Sequence, residues 1–289
     1  MFAQPLPNLA LRTFGEMTTP APARPVARGA ITMLSKVPEV TMYFWIIKVL
    51  ATTVGETAAD YLNEKFNLGL THTTYIASAL LVLGLVWQFR LKRYVPPVYW
   101  VNVVIISVVG TLITDNLTDG HNVPLALSTA IFSVALAASF GIWYGYERTL
   151  SIHTITSTRR ETFYWLTILS TFALGTAAGD LIAEKVNIGY FNSVLLFGGM
   201  IGVVAIAFYV FKVREVPAFW AAYVLTRPLG ASMGDLLSQT RKHGGLGLGT
   251  TATTFIFLGA ILVVVTFLTR THADENPLDF VEPSVTSGS

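Results

Sequence analysis

The sequence predicts an all-α integral membrane protein with eight transmembrane helices, built as four parallel two-helix repeats. Three observations predict it. Segments near 20 residues with few charges recur along most of the 289-residue chain, of which only 12% is charged; a soluble domain carries about twice that share. The pattern Trp-x9-Gly-x4-Asp occurs four times. Lys and Arg gather on alternate connections, as in membrane proteins that keep their basic loops inside.

Spans are expected at about 42–62, 72–92, 97–118, 124–146, 163–183, 191–212, 216–238 and 250–270. The first holds Trp45, Gly55 and Asp60, and turns at Asn67-Leu68-Gly69 into the second. Pro96-Pro97 separates the second from the third, which holds Trp100, Gly110 and Asp115. The fourth is plainly apolar. The fifth holds Trp165, Gly175 and Asp180, the sixth is apolar, and the seventh holds Trp220, Gly230 and Asp235. Gly244-Gly245 leads to the eighth. The membrane domain is expected over about 38–270, with repeats at about 38–92, 93–147, 158–212 and 213–270. The Pro- and Ala-rich flank 1–37 and the acidic, Ser-rich tail 271–289 are expected to be disordered. Met33, just before the first span, is an alternative start that N-terminal sequencing would decide.

The repeat is legible without gaps. Shifting the chain by 120 residues matches Trp45 with Trp165, Gly55 with Gly175, Asp60 with Asp180, Pro97 with Pro217 and Asp115 with Asp235. Shifting by 55 aligns the quarters within each half. Two-helix units keep their orientation, so the odd spans all run the same way and the pseudosymmetry axis lies along the membrane normal. With the N-terminus inside, inner segments carry 13 Lys and Arg and outer segments carry 4, namely Lys65, Lys185, Arg241 and Lys242. Both termini are therefore expected in the cytoplasm.

The segments Lys-Val-Pro-Glu-Val-Thr (36–41), Thr-Thr-Val-Gly-Glu-Thr (52–57), Gly-Thr-Ala-Ala-Gly-Asp (175–180) and Thr-Arg-Pro-Leu-Gly-Ala-Ser (226–232) resemble a bacterial family of integral membrane proteins with four tandem two-helix repeats, each with a characteristic Trp. The resemblance covers 36–270. It implies a multi-pass protein of the bacterial cytoplasmic (inner) membrane. The family is uncharacterised, so it implies no activity.

Candidate chemistry comes from the odd spans. Residues four apart share a helix face. The stripes read Glu56, Asp60, Glu64; Thr111, Asp115, Asp119; Thr176, Asp180, Glu184; and Ala231, Asp235, Gln239. From Trp to Asp is about 22 Å of helix, which puts the Asp residues in the outer half of the membrane if Trp marks the inner interface. Small residues at spacing four, such as Gly55/Ala59 and Gly175/Gly179, permit close helix contact. The simplest arrangement packs the odd spans around an axis with the even spans outside. Asp60, Asp115, Asp180 and Asp235 would then form a ring with Glu56, assisted by Thr111 and Thr176, with Glu64, Asp119 and Glu184 as an outer funnel. Such hard oxygen ligands suit a divalent cation of the Mg²⁺, Mn²⁺ or Ca²⁺ type, or a proton relay.

Passage of a cation through a transporter or channel, in exchange for protons in one version, is the leading expectation. A proton-coupled carrier of a small organic solute is the first alternative, with Arg227 reading a carboxylate. A non-transporting scaffold is the second, with the Asp residues bonded across helices or capping them. Arg227 is expected to pair with a ring carboxylate, or else to contact an anionic substrate. Lys48 is expected to snorkel to the inner interface. The four Trp are expected as interfacial anchors, and Glu39 and Glu161 as helix-dipole partners. The chain has no Cys, which excludes thiolate ligands and disulfides. Its histidines (His72, His121, His153, His243 and His272) fall at or outside span ends, which argues against a haem pair; His121 and His243 are expected in solvated outer loops. No nucleophile–base constellation is visible, so an enzyme is not expected. No cofactor is expected beyond a bound divalent cation. The expected partners are the lipid bilayer and a cation or small solute, with no nucleic acid. Oligomeric state is not encoded.

Overall fold

The computed structural model describes residues 35–66 and 69–274, and it is helical throughout. Eight long helices follow one another: α1 (Met42–Phe66), α2 (Gly69–Arg90), α3 (Pro96–Asp115), α4 (Leu125–Glu147), α5 (Thr158–Asp180), α6 (Tyr190–Tyr209), α7 (Glu215–Ser238) and α8 (Thr250–Thr271). A π-helical turn extends α3 over Asn116–Gly120 and another extends α5 over Leu181–Lys185. The helices fall close to the expected spans. The largest difference is at α5, which starts at Thr158 because the Ser157 hydroxyl accepts a hydrogen bond from the Arg160 amide (3.3 Å) and caps an extra turn.

Six helices, α2, α3, α4, α5, α6 and α8, are long and apolar enough to cross a membrane. The other two carry charges well inside their lengths, among them Lys48, Glu56 and Asp60 in α1 and Arg227 and Asp235 in α7.

The odd helices contact one another in cyclic order, α1 with α3, α3 with α5, α5 with α7, and α7 with α1. The even helices lie outside them: 72% of the α3 span and 56% of the α5 span are buried, against 11–28% in α2, α4, α6 and α8. The pairing is offset from the sequence repeat. Each even helix packs mainly on the first helix of the next repeat, α2 on α3, α4 on α5 and α6 on α7, and α8 closes the circle on α1.

Glycine sets the spacing of the inner ring. A Cβ at Gly55 would collide with Ser107, at Gly110 with Phe172, at Gly175 with Arg227 and at Gly230 with Thr52. In every case the neighbour stands three residues before the glycine of the next helix, so one contact repeats around the circle. Without side chains at these points the backbones approach closely, and dispersion contacts accumulate along the seams.

The tryptophans sit elsewhere than expected. Trp100, Trp165 and Trp220 are 1%, 3% and 5% exposed, and Trp45 is half-buried. They do not face outward as interfacial anchors but fill the interior at the amino-terminal ends of the odd helices. Phe44 meets Trp100 (centroids 5.6 Å), Trp45 meets Phe219 (5.7 Å), Tyr99 meets Trp165 (5.6 Å) and Tyr164 meets Trp220 (6.4 Å). The indole N–H of Trp100 donates to the Tyr94 hydroxyl and that of Trp220 to the Leu150 carbonyl. Large rings with one polar edge close this end of the ring while keeping those N–H groups bonded.

The flanks are packed where they are described. Lys36 and Val37 are buried, and so is Asp274, whose carboxylate accepts from the Tyr94 hydroxyl (2.5 Å). Packing thus includes Lys36, Val37 and Asp274, which lie just outside the expected 38–270. The disorder expected for 1–34 and 275–289, the start at Met33 and the turn residues Asn67 and Leu68 lie outside the described residues.

Candidate polar site between the odd helices

Three layers follow the aromatic one. The first is set by Lys48, one turn beyond Trp45. Its Nζ lies 4.1 Å from the ring centroids of both Phe172 and Tyr223 and has no hydrogen-bond partner among the described residues. Lys48 is 1% exposed, so it does not snorkel. Its face of α1 points at the neighbouring odd helices, and the long side chain ends against ring faces that attract an ammonium.

The second layer is built around Arg227, which is fully buried. Its Nη2 lies 2.9 Å from Glu56 Oε2 and donates to the hydroxyls of Thr176 (2.6 Å) and Thr111. Nη1 donates to the Thr52 carbonyl (2.7 Å). Glu56, Thr111 and Thr176 are equivalent positions of the first three repeats, and the fourth has Ala231, on the helix that supplies Arg227. One guanidinium therefore ties α7 to α1, α3 and α5 at once. Pairing is the role the structure gives Arg227, and α7 continues through Pro228 as helix.

The third layer is acidic. One carboxylate oxygen each from Glu56, Asp180 and Asp235 lie within 4.8 Å of one another. Asp235 is buried and Asp180 half-buried. Asp60 and Asp115 are half-buried and within electrostatic reach of the same group, but they are not part of it. The expected ring is thus a one-sided cluster of three, with Asp60 and Asp115 beside it. The π-helical turns begin directly after Asp115 and Asp180; such turns shift the facing of the side chains around them and recur at functional sites. Asp119 and Glu184 are exposed beyond them, and Glu184 accepts from the Tyr190 hydroxyl (3.4 Å). The Glu64 side chain lies outside the described residues. Thr111 and Thr176 do face this region, but their hydroxyls serve Arg227.

At the opposite end, Glu161 is fully buried and does more than complement a helix dipole. It pairs with Lys36 (2.6 Å) and accepts from the Gln88 side chain (3.2 Å). Glu39 lies 3.4 Å from His153, which also contacts Glu215 at 2.9 Å. These pairs were hidden in the sequence because their partners come from connections, where no period places them. His121 and His243 are exposed and bonded within their own loops, to the Asn116 carbonyl and the Thr240 hydroxyl.

The acidic layer has the chemistry of a hard-cation site. Oxygen atoms across a Ca²⁺ ion stand about 4.8 Å apart, twice a bond of roughly 2.4 Å. With all three carboxylates ionised, the one guanidinium would leave an excess of two negative charges.

Comparison with curated proteins gave no match, and neither did comparison with solved structures. A family model described as Repeat of Unknown Function (DUF347) matches four successive stretches, residues 43–94, 98–149, 163–214 and 218–274, each beginning within the first turns of an odd helix. These stretches are the four quarters already seen in the tryptophan register and the glycine contacts, and the chain belongs to that repeat family.

Proposed function

We propose that the chain is an eight-span protein of the bacterial inner membrane that binds a divalent cation and carries it across. The four repeats run parallel, the pseudosymmetry axis lies along the membrane normal, and both termini are cytoplasmic. The observation that carries this reading is the convergence of Glu56, Asp180 and Asp235 on one point, at a spacing a single ion can span. Carboxylates that close repel one another in a poorly solvated bundle, and a divalent cation or protons relieve the repulsion.

A carrier fits better than an open channel. Arg227, the ring faces around Lys48 and the aromatic layer fill the space between the odd helices, so passage requires those layers to rearrange. A cation at Glu56 competes with Arg227 for the same carboxylate, which links occupancy to the contact that ties the inner helices together. The organic-solute reading is weaker, because both Arg227 Nη groups are already bonded to Glu56, Thr111, Thr176 and Thr52. The scaffold reading draws on that same network and predicts that metals neither bind nor cross.

The test is reconstitution into liposomes with an entrapped metal indicator. Wild-type protein should give saturable Mn²⁺ uptake, and Asp180→Asn and Asp235→Asn should each reduce it at least tenfold, which is about 1.4 kcal/mol of lost site affinity. Unchanged flux and binding in both folded variants would make the cluster structural.

A further inference from the structure

We propose that Lys48 is a proton-exchange site, giving up one proton to the surrounding water when the acidic cluster takes up a cation. The inference rests on the cation reading above and names the group that couples it to protons.

Lys48 differs from the other described buried cations in how it is held. Lys36 has Glu161 at 2.6 Å, and Arg227 has Glu56 at 2.9 Å. Lys48 Nζ has two ring faces and, among the described residues, no hydrogen-bond acceptor. Burial takes hydration away from an ammonium, and two ring contacts restore only part of it. An amine held this way can lose its proton without leaving a carboxylate unpaired, whereas neither of the other two cations can.

The titratable and charged groups around it are few. Along α1 stand Tyr43, five residues before Lys48 on the exposed side, and Glu56, two turns beyond it. From α3 comes Tyr99 and from α5 Tyr164, whose hydroxyls bond each other. From α7 come Tyr223, under the ammonium, and Arg227 beyond it. On α2 and α8, Arg90 and Arg270 stand only in the last turns. Arg227 is a permanent cation, so a proton on Lys48 is the second positive charge in this stretch of the interior. A cation at the acidic cluster becomes the next. The helix rise from Lys48 to Glu56 is about 12 Å. At that distance and an effective dielectric constant near 20, each unit of cation charge opposes the Lys48 proton by about 1.4 kcal/mol, a factor of about ten. The exchange balances as one ammonium plus one cation giving one amine, one bound cation and one released proton. Occupancy of the two positions is mutually exclusive to that degree, which is the requirement for antiport.

The experiment compares wild type, Lys48→Met and Lys48→Arg in nanodiscs. Mn²⁺ binding is measured by calorimetry between about pH 6 and 9, in buffers of different ionisation enthalpy, so that protons released per ion are counted. The wild type should release about one proton more than Lys48→Met. Lys48→Met should bind Mn²⁺ at least tenfold more tightly than wild type at the acid end. Lys48→Arg, which keeps the charge, should bind at least tenfold more weakly than wild type at the alkaline end. If both variants keep the wild-type affinity and proton count, the assignment is overturned. Should Lys48→Met fail to fold, Lys48→Arg decides the question alone by the alkaline-end affinity. A wild type that binds no Mn²⁺ at any pH defeats the cation reading first, and the coupling with it, and that result is visible before any variant is made.

Discussion

Replacing Glu56 with Gln leaves the Arg227 guanidinium without its carboxylate, at a position that is fully buried. Breaking a buried pair from one side costs about 3–5 kcal/mol, because the remaining charge loses its partner where water does not reach it. Here the lower end applies. The Thr52 carbonyl and the Thr111 and Thr176 hydroxyls still accept from Arg227, and the introduced side-chain amide keeps one acceptor oxygen, so the expected loss is about 3 kcal/mol. Arg227→Met should cost more, about 4–5 kcal/mol. It removes the cation that offsets Glu56, which then faces Asp180 and Asp235. The double variant Glu56→Gln with Arg227→Met removes both charges, leaves neutral groups of similar length and should lie within about 2 kcal/mol of wild type. Unfolding in detergent, followed by tryptophan emission, is a direct readout because the aromatic layer is built from buried indoles. The single losses sum to about 7–8 kcal/mol, so the double variant should fall several kcal/mol short of additivity. Losses that add would refute the pair as the element joining the inner helices.

Two further perturbations test other parts of the fold. Gly230→Val places a Cβ on the Thr52 side chain and 2.9 Å from the Thr53 amide nitrogen, so it should separate α7 from α1 and cost about 3 kcal/mol or more, while Gly141→Val, with nothing within 4 Å, should stay within about 1 kcal/mol of wild type in the same unfolding assay. Tyr94 lies between α2 and α3, and burial first, then the Asp274 carboxylate, hold its phenol well above the ordinary value. Its neutral form is therefore favoured more in the folded protein than in the unfolded chain. Its contribution is complete below the ordinary phenol range, near pH 10, and is lost as pH rises beyond it. Tyr94→Phe should lower stability at neutral pH by about 1–2 kcal/mol and flatten part of the alkaline fall, as read from melting temperature against pH; an unchanged alkaline slope would contradict the shift.

The helices and their order were readable because span length and the repeated Trp, Gly and Asp act locally. The ring of odd helices was readable too, since glycine at a fixed offset from a carboxylate says which face must meet a neighbour. Which residues meet across that face was not. Glu56 and Arg227 are 171 positions apart in sequence, and pairing them needed the closure of α7 on α1. Lys48 was misjudged for a related reason. Its distance from the helix end suited snorkelling, but its direction around the helix decides burial, and only the ring fixes that direction. The tryptophans misled in the same way: depth along a helix was legible, inward or outward was not. The pairing of Lys36 with Glu161 was not legible because one partner lies on an irregular segment, where neither period nor symmetry constrains it.

The offset pairing of even helices has a bearing on ancestry. Because each repeat leans on the next and the last leans on the first, four separate two-helix chains could assemble into the same circle without any linker. In such a homotetramer every position is present four times, so an arginine at the place of Arg227 would bring four guanidinium groups to one point, with a fourfold glutamate as its only remedy. Joining the copies into one polypeptide lifts that constraint. One quarter can then hold an arginine, another a glutamate and lysine, and the remaining two threonines. The fused gene thus gains a directional, lopsided interior that a symmetric ancestor could not have carried.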